Sequence, residues 1–240
     1  MLRPALAGAG GAVVLAGAPL VASVQPVRRL LTPALLPDRL SGVSDRHHVA
    51  LTFDDGPDRD STPSFLDLLG RHDTRATFFL LGRYAAQEPA LVRRMVAEGH
   101  EIGVHGWTHR CVAAVGPRRL AGDLRATRRV LEQVGGRRVR WYRPPYGVLT
   151  THALVAARSA GLDTVLWSEW GVDWRRGRTP QQVVTTVRRK LRPGGTVLLH
   201  DTDRTSAPGS WRATLGATER LLEHLANDDV PVGPLAEHGL

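Results

Sequence analysis

Cysteine, lysine and aromatic residues are all scarce in this chain, and each scarcity excludes something. The single cysteine, Cys111, precludes an intramolecular disulfide and a thiolate cluster, so any metal centre must be built from histidine and carboxylate. Lysine occurs once, at Lys190, against 31 arginines, so the formal net charge of +9 is almost wholly guanidinium. Such a surface suits polyanions (nucleic acid, anionic lipid, acidic wall polymer) and is equally an ordinary solvated surface in an arginine-rich composition. No internal repeat is visible. Hydrophobic residues at 42% and charged residues at 23% exclude wholesale disorder, a collagen-like repeat and a multi-span membrane protein. The 240 residues suffice for one or two domains.

Charge is absent from Pro4 to Val27, with Arg3 before the segment and Arg28 and Arg29 after it. An apolar run behind a short basic start reads as a secretory signal or a single N-terminal membrane anchor over residues 1–27. Its core, Ala12–Val24, is short for a span, and Val21-Ala22-Ser23 offers a small-residue cleavage site. This segment predicts a secreted or envelope-associated protein, with the basic surface as a second means of membrane or cell-wall association. Residues 28–46, with Pro33 and Pro37, read as a linker or ordered lead-in, and residues 47–240 as one folded domain.

Within that domain, apolar strand-like runs alternate with helical patterns. Strands are expected over His48–Phe53, Arg75–Leu81, Glu101–Val104, Val139–Tyr142, Thr164–Trp167 and Thr196–Leu199. Helices are expected over Thr62–Arg71, Pro89–Glu98, Pro117–Val134, Thr151–Ala160, Thr179–Leu191 and Trp211–Leu225, with Pro89, Pro117 and Pro180 near helix starts, where a missing N–H is harmless. Strand followed by helix, about six times, argues for a parallel α/β fold. At roughly 190 residues it is small for an eight-unit barrel, which points to a distorted, reduced (β/α) barrel.

The most reactive residue types stand just after the expected strands, where parallel α/β folds build their sites. Thr52-Phe53-Asp54-Asp55-Gly56-Pro57 puts two carboxylates at a strand end, and neighbouring strand residues point oppositely, so the two have different roles. His105-Gly-Trp-Thr-His109 places two imidazoles four apart, a spacing that can share a metal with a carboxylate as third ligand. Arg143-Pro-Pro-Tyr146-Gly147 is a stiff turn carrying an arginine, Trp167-Ser-Glu-Trp-Gly-Val-Asp173-Trp174 is rich in aromatics, and Leu198-Leu199-His200-Asp201 closes a buried-looking strand. Taken singly, each could be structural: a turn cap, a rigid turn, core packing or a satisfied histidine. Cys111 reads as a packed small residue, and the other histidines default to surface or structural roles.

Together and in this order, the five segments resemble the NodB-homology polysaccharide deacetylases, the fourth family of carbohydrate esterases. The resemblance covers about His48 to Val232 and implies a distorted (β/α) barrel. It implies Asp54 as general base, Asp55, His105 and His109 as ligands of a divalent metal, and Arg143 as the residue that orients Asp54. It further implies that the Tyr146 backbone N–H helps hold the oxyanion, that His200 is the general acid supported by Asp173, and that Trp174 and Leu198 line a slot for the acetyl methyl. Zinc suits the ligand set, with cobalt, nickel or manganese as other divalent occupants. Two positions depart from the family pattern: Gly106 stands where a serine or threonine is usual, and Trp170 where an acidic residue is common.

The implied activity is hydrolytic removal of acetyl groups from N-acetylated sugar polymers, peptidoglycan-like or chitin-like, by activated water. Acting on O-acetyl esters, as in xylan, would need only a different leaving group. A non-catalytic glycan-binding surface protein is a rival reading, with Trp107, Trp170, Trp174 and Trp211 as stacking residues. A basic nucleic-acid binder is a third, against which stand the apparent leader and the absence of any nucleic-acid motif. Neither the particular polymer nor the oligomeric state is encoded in the motifs.

Overall fold

In the computed structural model, Leu20–Val21 and residues 38–240 are described. The expected leader therefore lies, apart from Leu20–Val21, outside the described residues. The chain runs β1 (Leu20–Val21), α1 (Asp38–Ser41), β2 (Val49–Asp54), α2 (Thr62–Arg71), β3 (Thr77–Leu80), α3 (Gly82–Gln87), α4 (Pro89–Ala97), β4 (Glu101–Val104) and α5 (Pro117–Gly135). It continues through β5 (Trp141–Tyr142), β6 (Val148–Leu149), α6 (Thr151–Ser159), β7 (Asp163–Thr164), β8 (Glu169–Trp170), α7 (Pro180–Arg188), β9 (Thr196–His200), α8 (Ser210–Asn227) and β10 (Val232–Gly233). The strands of the main sheet pair only in parallel, in the order β7-β5-β4-β3-β2-β9-β8, with β10 beside the start of β2. Outside it, β1 pairs antiparallel with β6. Among the described residues no helix is long and apolar enough to cross a membrane.

The two ends of that strand order, β7 and β8, are separated in sequence only by residues 165–168. Val165 N–H reaches the Tyr142 carbonyl at 2.9 Å, and Ser168 N–H reaches that of Thr196 at 2.9 Å. One short stretch thus bridges the two sheet edges and closes the reduced barrel. This corrects the single strand expected over Thr164–Trp167: the run is buried, but it crosses between edges, so only its flanks join a ladder. The short α3, β8 and β10 were also beyond the sequence patterns, each being too brief to show a period.

Alternation along the strands sorts the core into two sides. Val49, Leu51 and Phe53 of β2, Phe78 and Leu80 of β3, and Val197 and Leu199 of β9 pack into the large cluster beneath the helices. Residues of the opposite parity face the barrel interior, among them Ala50 and Phe79. Each such fully buried Leu or Phe contributes about 1.5–3 kcal/mol. Helix α5 turns Leu120, Leu124, Thr127 and Leu131 inward and ends at Gly136, whose φ of 66° suits glycine. The lead-in is tied to the barrel: the Leu40 carbonyl accepts Leu166 N–H at 3.0 Å, and Ser44 N–H donates to Gly194 at 2.9 Å.

Candidate active site and metal centre

Strand parity delivers Asp54 to the interior. Thr52 and Asp54 share the inward face of β2, and Asp54 lies level with His200 on the adjacent β9. Arg143, just past β5, is completely buried beneath them. Its Nη1 donates to Thr52 Oγ1 at 2.7 Å and to Asp54 Oδ1 at 2.9 Å, while Nη2 donates to the Leu166 carbonyl at 2.7 Å. The guanidinium also lies 4.1 Å from the centroid of the Phe79 ring. Oδ1 of Asp54 is thereby held from below, and Oδ2 is left facing His105 Nε2 at 3.7 Å.

Asp55 leaves the strand with φ of 79°, a left-handed turn that brings its carboxylate to the same mouth. Its Oδ1 lies 3.3 Å from His105 Nε2 and 3.2 Å from His109 Nε2. His105 Nδ1–H donates to the Arg143 carbonyl at 2.8 Å, which turns the Nε2 lone pair toward Asp55. One ligand atom from each of Asp55, His105 and His109 falls within 4.8 Å of the other two. Burial would raise the Asp55 pKa, but the three imidazoles around it hold the carboxyl well below the usual range. Burial pushes His109 down to about 4, which keeps it neutral, as a ligand must be. Two imidazole nitrogens and a buried carboxylate oxygen without a hydrogen-bond donor fit a divalent cation.

His200 is held from behind by Asp173. The carboxylate accepts the His200 backbone N–H at 2.8 Å and its Nδ1–H at 3.1 Å, with Thr214 Oγ1 donating from α8 at 3.0 Å. Burial alone would lower the His200 pKa; the Asp173 charge and hydrogen bond overcome it and raise it to about 10. Its Nε2 sits 3.9 Å from Asp55 Oδ2, on the far side of the carboxylate from His109.

These groups open into a cavity of about 230 Å³. One wall is aromatic: Trp170 meets Trp174 edge-on at 5.2 Å, Trp167 lies 5.9 Å from Trp170, and Leu198 closes the floor. The other wall is Tyr146 and Gly147. Tyr146 adopts φ of 60°, and its ring stands edge-on to His109 at 4.5 Å. All ten residues singled out in the sequence converge here. Of the four tryptophans offered as glycan-stacking residues, only Trp170 and Trp174 reach the cavity. Trp107 instead packs where a Cβ on Gly82 would lie 2.6 Å from its ring, and Trp211 packs against the core under Arg212.

Two contributors escaped the sequence reading. Trp167 lines the cavity floor, and Thr205 donates from the loop after β9 to Asp55 Oδ2, the oxygen turned away from His105 and His109. Nothing in the local sequence marks Thr205, whose role depends entirely on where its loop lies. Gly106, one of the two departures, has φ of 94°, where a β-branched residue would be strained.

Comparison with known proteins decides the family. Residues 41–165 match the polysaccharide deacetylase family model. The chain belongs to the polysaccharide deacetylase family. A chitooligosaccharide deacetylase of Bradyrhizobium sp. strain ANU 289 is 41% identical over 179 residues, covering 74% of this chain and 80% of the relative. A solved peptidoglycan N-acetylglucosamine deacetylase superposes with a TM-score of 0.76 at 32% identity, over 83% of this chain and 91% of that one. A pseudoenzyme of carbohydrate esterase family 4 from Bacillus anthracis shares the same fold, with a TM-score of 0.72 and 27% identity over 80% and 65% of the two chains. Family membership therefore does not by itself guarantee turnover; the residues in the site have to carry that argument.

Proposed function

We propose that this deacetylase hydrolyses the acetamide of N-acetylated sugar polymers, and does so outside the cytoplasmic membrane. The observation that carries the reading is that Asp54 and His200 both stand beside the Asp55–His105–His109 cluster, each restrained by its own buried partner. Asp55, His105 and His109 would hold the cation, for which zinc is the best match to the donors. When bound, that ion supplies Lewis acidity, polarising the amide carbonyl and acidifying water.

The chain's own groups divide the remaining work. Asp54 takes the proton of the attacking water through Oδ2, while Arg143 fixes its Oδ1. The backbone N–H of Tyr146 donates to the oxygen that gains charge in the tetrahedral state; losing one such donor typically costs about 100–1000-fold. His200 carries a proton on Nε2 across neutral pH and gives it to the departing amine, with Asp173 stabilising the imidazolium. Trp174 and Leu198, joined by Trp167, form the apolar slot that seats the acetyl methyl.

The direct test is acetate release from chitooligosaccharides, peptidoglycan and acetylated xylan, before and after chelation. Release from the two amide substrates, abolished by chelator and restored by zinc, is the expected result. Release from xylan alone would reassign the protein as an O-acetyl esterase. Binding without release would leave the glycan-binding reading.

A further inference from the structure

Positive charge is not spread evenly over this molecule. Residues 117–163 hold ten arginines against three carboxylates, whereas the other described residues are balanced, with 19 basic and 20 acidic side chains. An arginine-rich composition alone would not gather the excess into one segment. Arg143 serves the active site; the other nine lie on α5, on α6 and between α5 and β5. Arg118, Arg125 and Arg129, seven and four residues apart, fall within about 40° of one another around α5 and form a row about 16 Å long. The row runs into an open groove of about 690 Å³, lined by Arg125, Arg128, Arg129, Glu132 and Gln133 of α5 and by residues 159–161 at the end of α6. Arg128 crosses the groove: Nη1 donates to the Ala160 carbonyl at 2.5 Å, where a side chain on Gly161 would stand, and Nε pairs with Glu132 at 2.9 Å. Glu132 also accepts Val139 N–H at 3.0 Å, so the one carboxylate lining the groove is already engaged. Arg125 and Arg129 are exposed and, among the described residues, have no acidic partner within 4.0 Å. Like charges four apart on a helix repel, and no described carboxylate offsets this pair.

We infer that the groove between α5 and α6 docks a linear poly(polyol phosphate) chain, held chiefly by Arg125 and Arg129. Planar guanidinium forks suit phosphate oxygens, and the row from Arg118 to Arg129 offers contacts along one line, as such a chain presents successive phosphates. The groove lining holds no aromatic ring, so nothing there stacks a nucleobase or a sugar face. It also holds no apolar side chain larger than Ala160, so a bilayer finds no anchor to take up. A flexible chain that carries charge and can follow the groove is what these residues recognise. No residue lining the groove lines the catalytic cavity, and the docking site stands independently of the deacetylase reading.

The test follows binding of fluorescein-labelled poly(glycerol phosphate) to the full-length protein by fluorescence anisotropy, between ~50 and ~300 mM salt. Arg125→Gln/Arg129→Gln should weaken binding about tenfold at the low-salt end and reduce the slope of log affinity against log salt by about one to one and a half. Arg125→Lys/Arg129→Lys should keep most of the affinity. Arg93→Gln/Arg189→Gln removes the same charge from exposed arginines outside the groove and should change binding by less than about twofold. Both glutamine variants should keep the parent's Tm and its rate of acetate release from N-acetylchitopentaose. Equal weakening by the two glutamine pairs overturns the groove, because net charge alone would then account for binding. Tighter binding of single-stranded DNA, or of phosphatidylglycerol vesicles, than of the polyol phosphate at equal phosphate overturns the assigned partner.

Discussion

Imidazoles are buried at both ends of this barrel, in electrostatic surroundings that differ. At the carboxyl ends of the strands, His105 and His200 each face a buried carboxylate and their pKa values are raised, while His109 beside them is lowered by burial. At the amino ends, His48, His100 and His238 are met mainly by neutral groups, and burial lowers all three. His238 Nε2–H donates to the Gly194 carbonyl at 3.0 Å, so its Nδ1 must accept from His48 Nδ1–H across 2.9 Å. His100 Nδ1 accepts the Ala76 N–H at 3.2 Å. One end gathers its imidazoles around the buried carboxylates of Asp54, Asp55 and Asp173; the other uses histidine as a neutral hydrogen-bonding spacer that ties the C-terminal segment to the base of the sheet. The residue type does not distinguish the two: at His105 and His200 nearby carboxylates outweigh burial, while at His109, as at the amino ends, burial wins.

The contrast breaks most sharply at the metal cluster. His105→Ala should abolish stoichiometric zinc, read by elemental analysis, and lower kcat/KM by at least about 1000-fold. Full metal content in that variant would reject the ligand assignment. For the base, Asp54→Asn is the better probe than alanine, because its amide oxygen keeps the shape and an acceptor for the fully buried Arg143, although both variants remove the charge that pairs with it. Next in size is His200. Its alanine variant should lose about 100–10,000-fold on an N-acetyl glycan yet largely retain hydrolysis of an activated aryl acetate, whose leaving group needs no proton. Equal losses on both would remove the general-acid role. Asp173→Asn takes away the charge that raises His200, so the alkaline limb of the kcat/KM profile should move down by a unit or more toward the ordinary histidine value.

A smaller effect is expected at Thr205, and it marks where sequence reading stops. Thr205→Val should weaken zinc about 10–100-fold in chelator competition, and Thr205→Ser should recover it, because the hydroxyl orients the outer oxygen of Asp55. An unchanged zinc affinity in the valine variant would make the contact incidental. Asp54, His105 and His200 were legible because each closes or directly follows a strand long enough to show its pattern, β2, β4 and β9, whereas Arg143 and Asp173 follow two-residue strands and were legible only through their motifs. Thr205 lies five residues beyond His200, in a loop placed by Arg204–Asp58 and by Ala207 N–H on the Trp174 carbonyl, contacts with no local signature. The barrel closure was missed for a related reason: residues 165–168 read as a strand by composition, yet their hydrogen bonds are divided between two edges. Gly106 was legible only as a departure. Its φ of 94° suits glycine: the loop between the two histidines takes a left-handed backbone shape that strains a residue with a Cβ.

The smallest effect tests the neutral end. His100 and His238 are both held at about 4 in the folded protein, against 6.5 for an unperturbed imidazole. Between those values the unfolded chain binds more protons than the folded one, so their contribution is complete above pH 6.5 and is lost as pH falls toward 4. For a shift of this size the loss between pH 8 and pH 5 is about 2 kcal/mol per group. Protonating His100 on Nδ1 would set that nitrogen against the Ala76 N–H, and protonating His238 would leave two N–H groups facing each other across the His48 contact. Other groups titrate in the same range with the opposite sign, since Asp201 is raised to about 7 by burial and gains stability as it protonates. The comparison must therefore be between variant and parent, not along one curve. His100→Asn keeps an acceptor for Ala76 but cannot titrate. It should lower Tm at pH 8 through lost packing, and the gap from the parent should narrow by several degrees at pH 5. A gap constant from pH 8 to pH 5 would mean that His100 is not held neutral, and the division between the two ends of the barrel would fail at that residue.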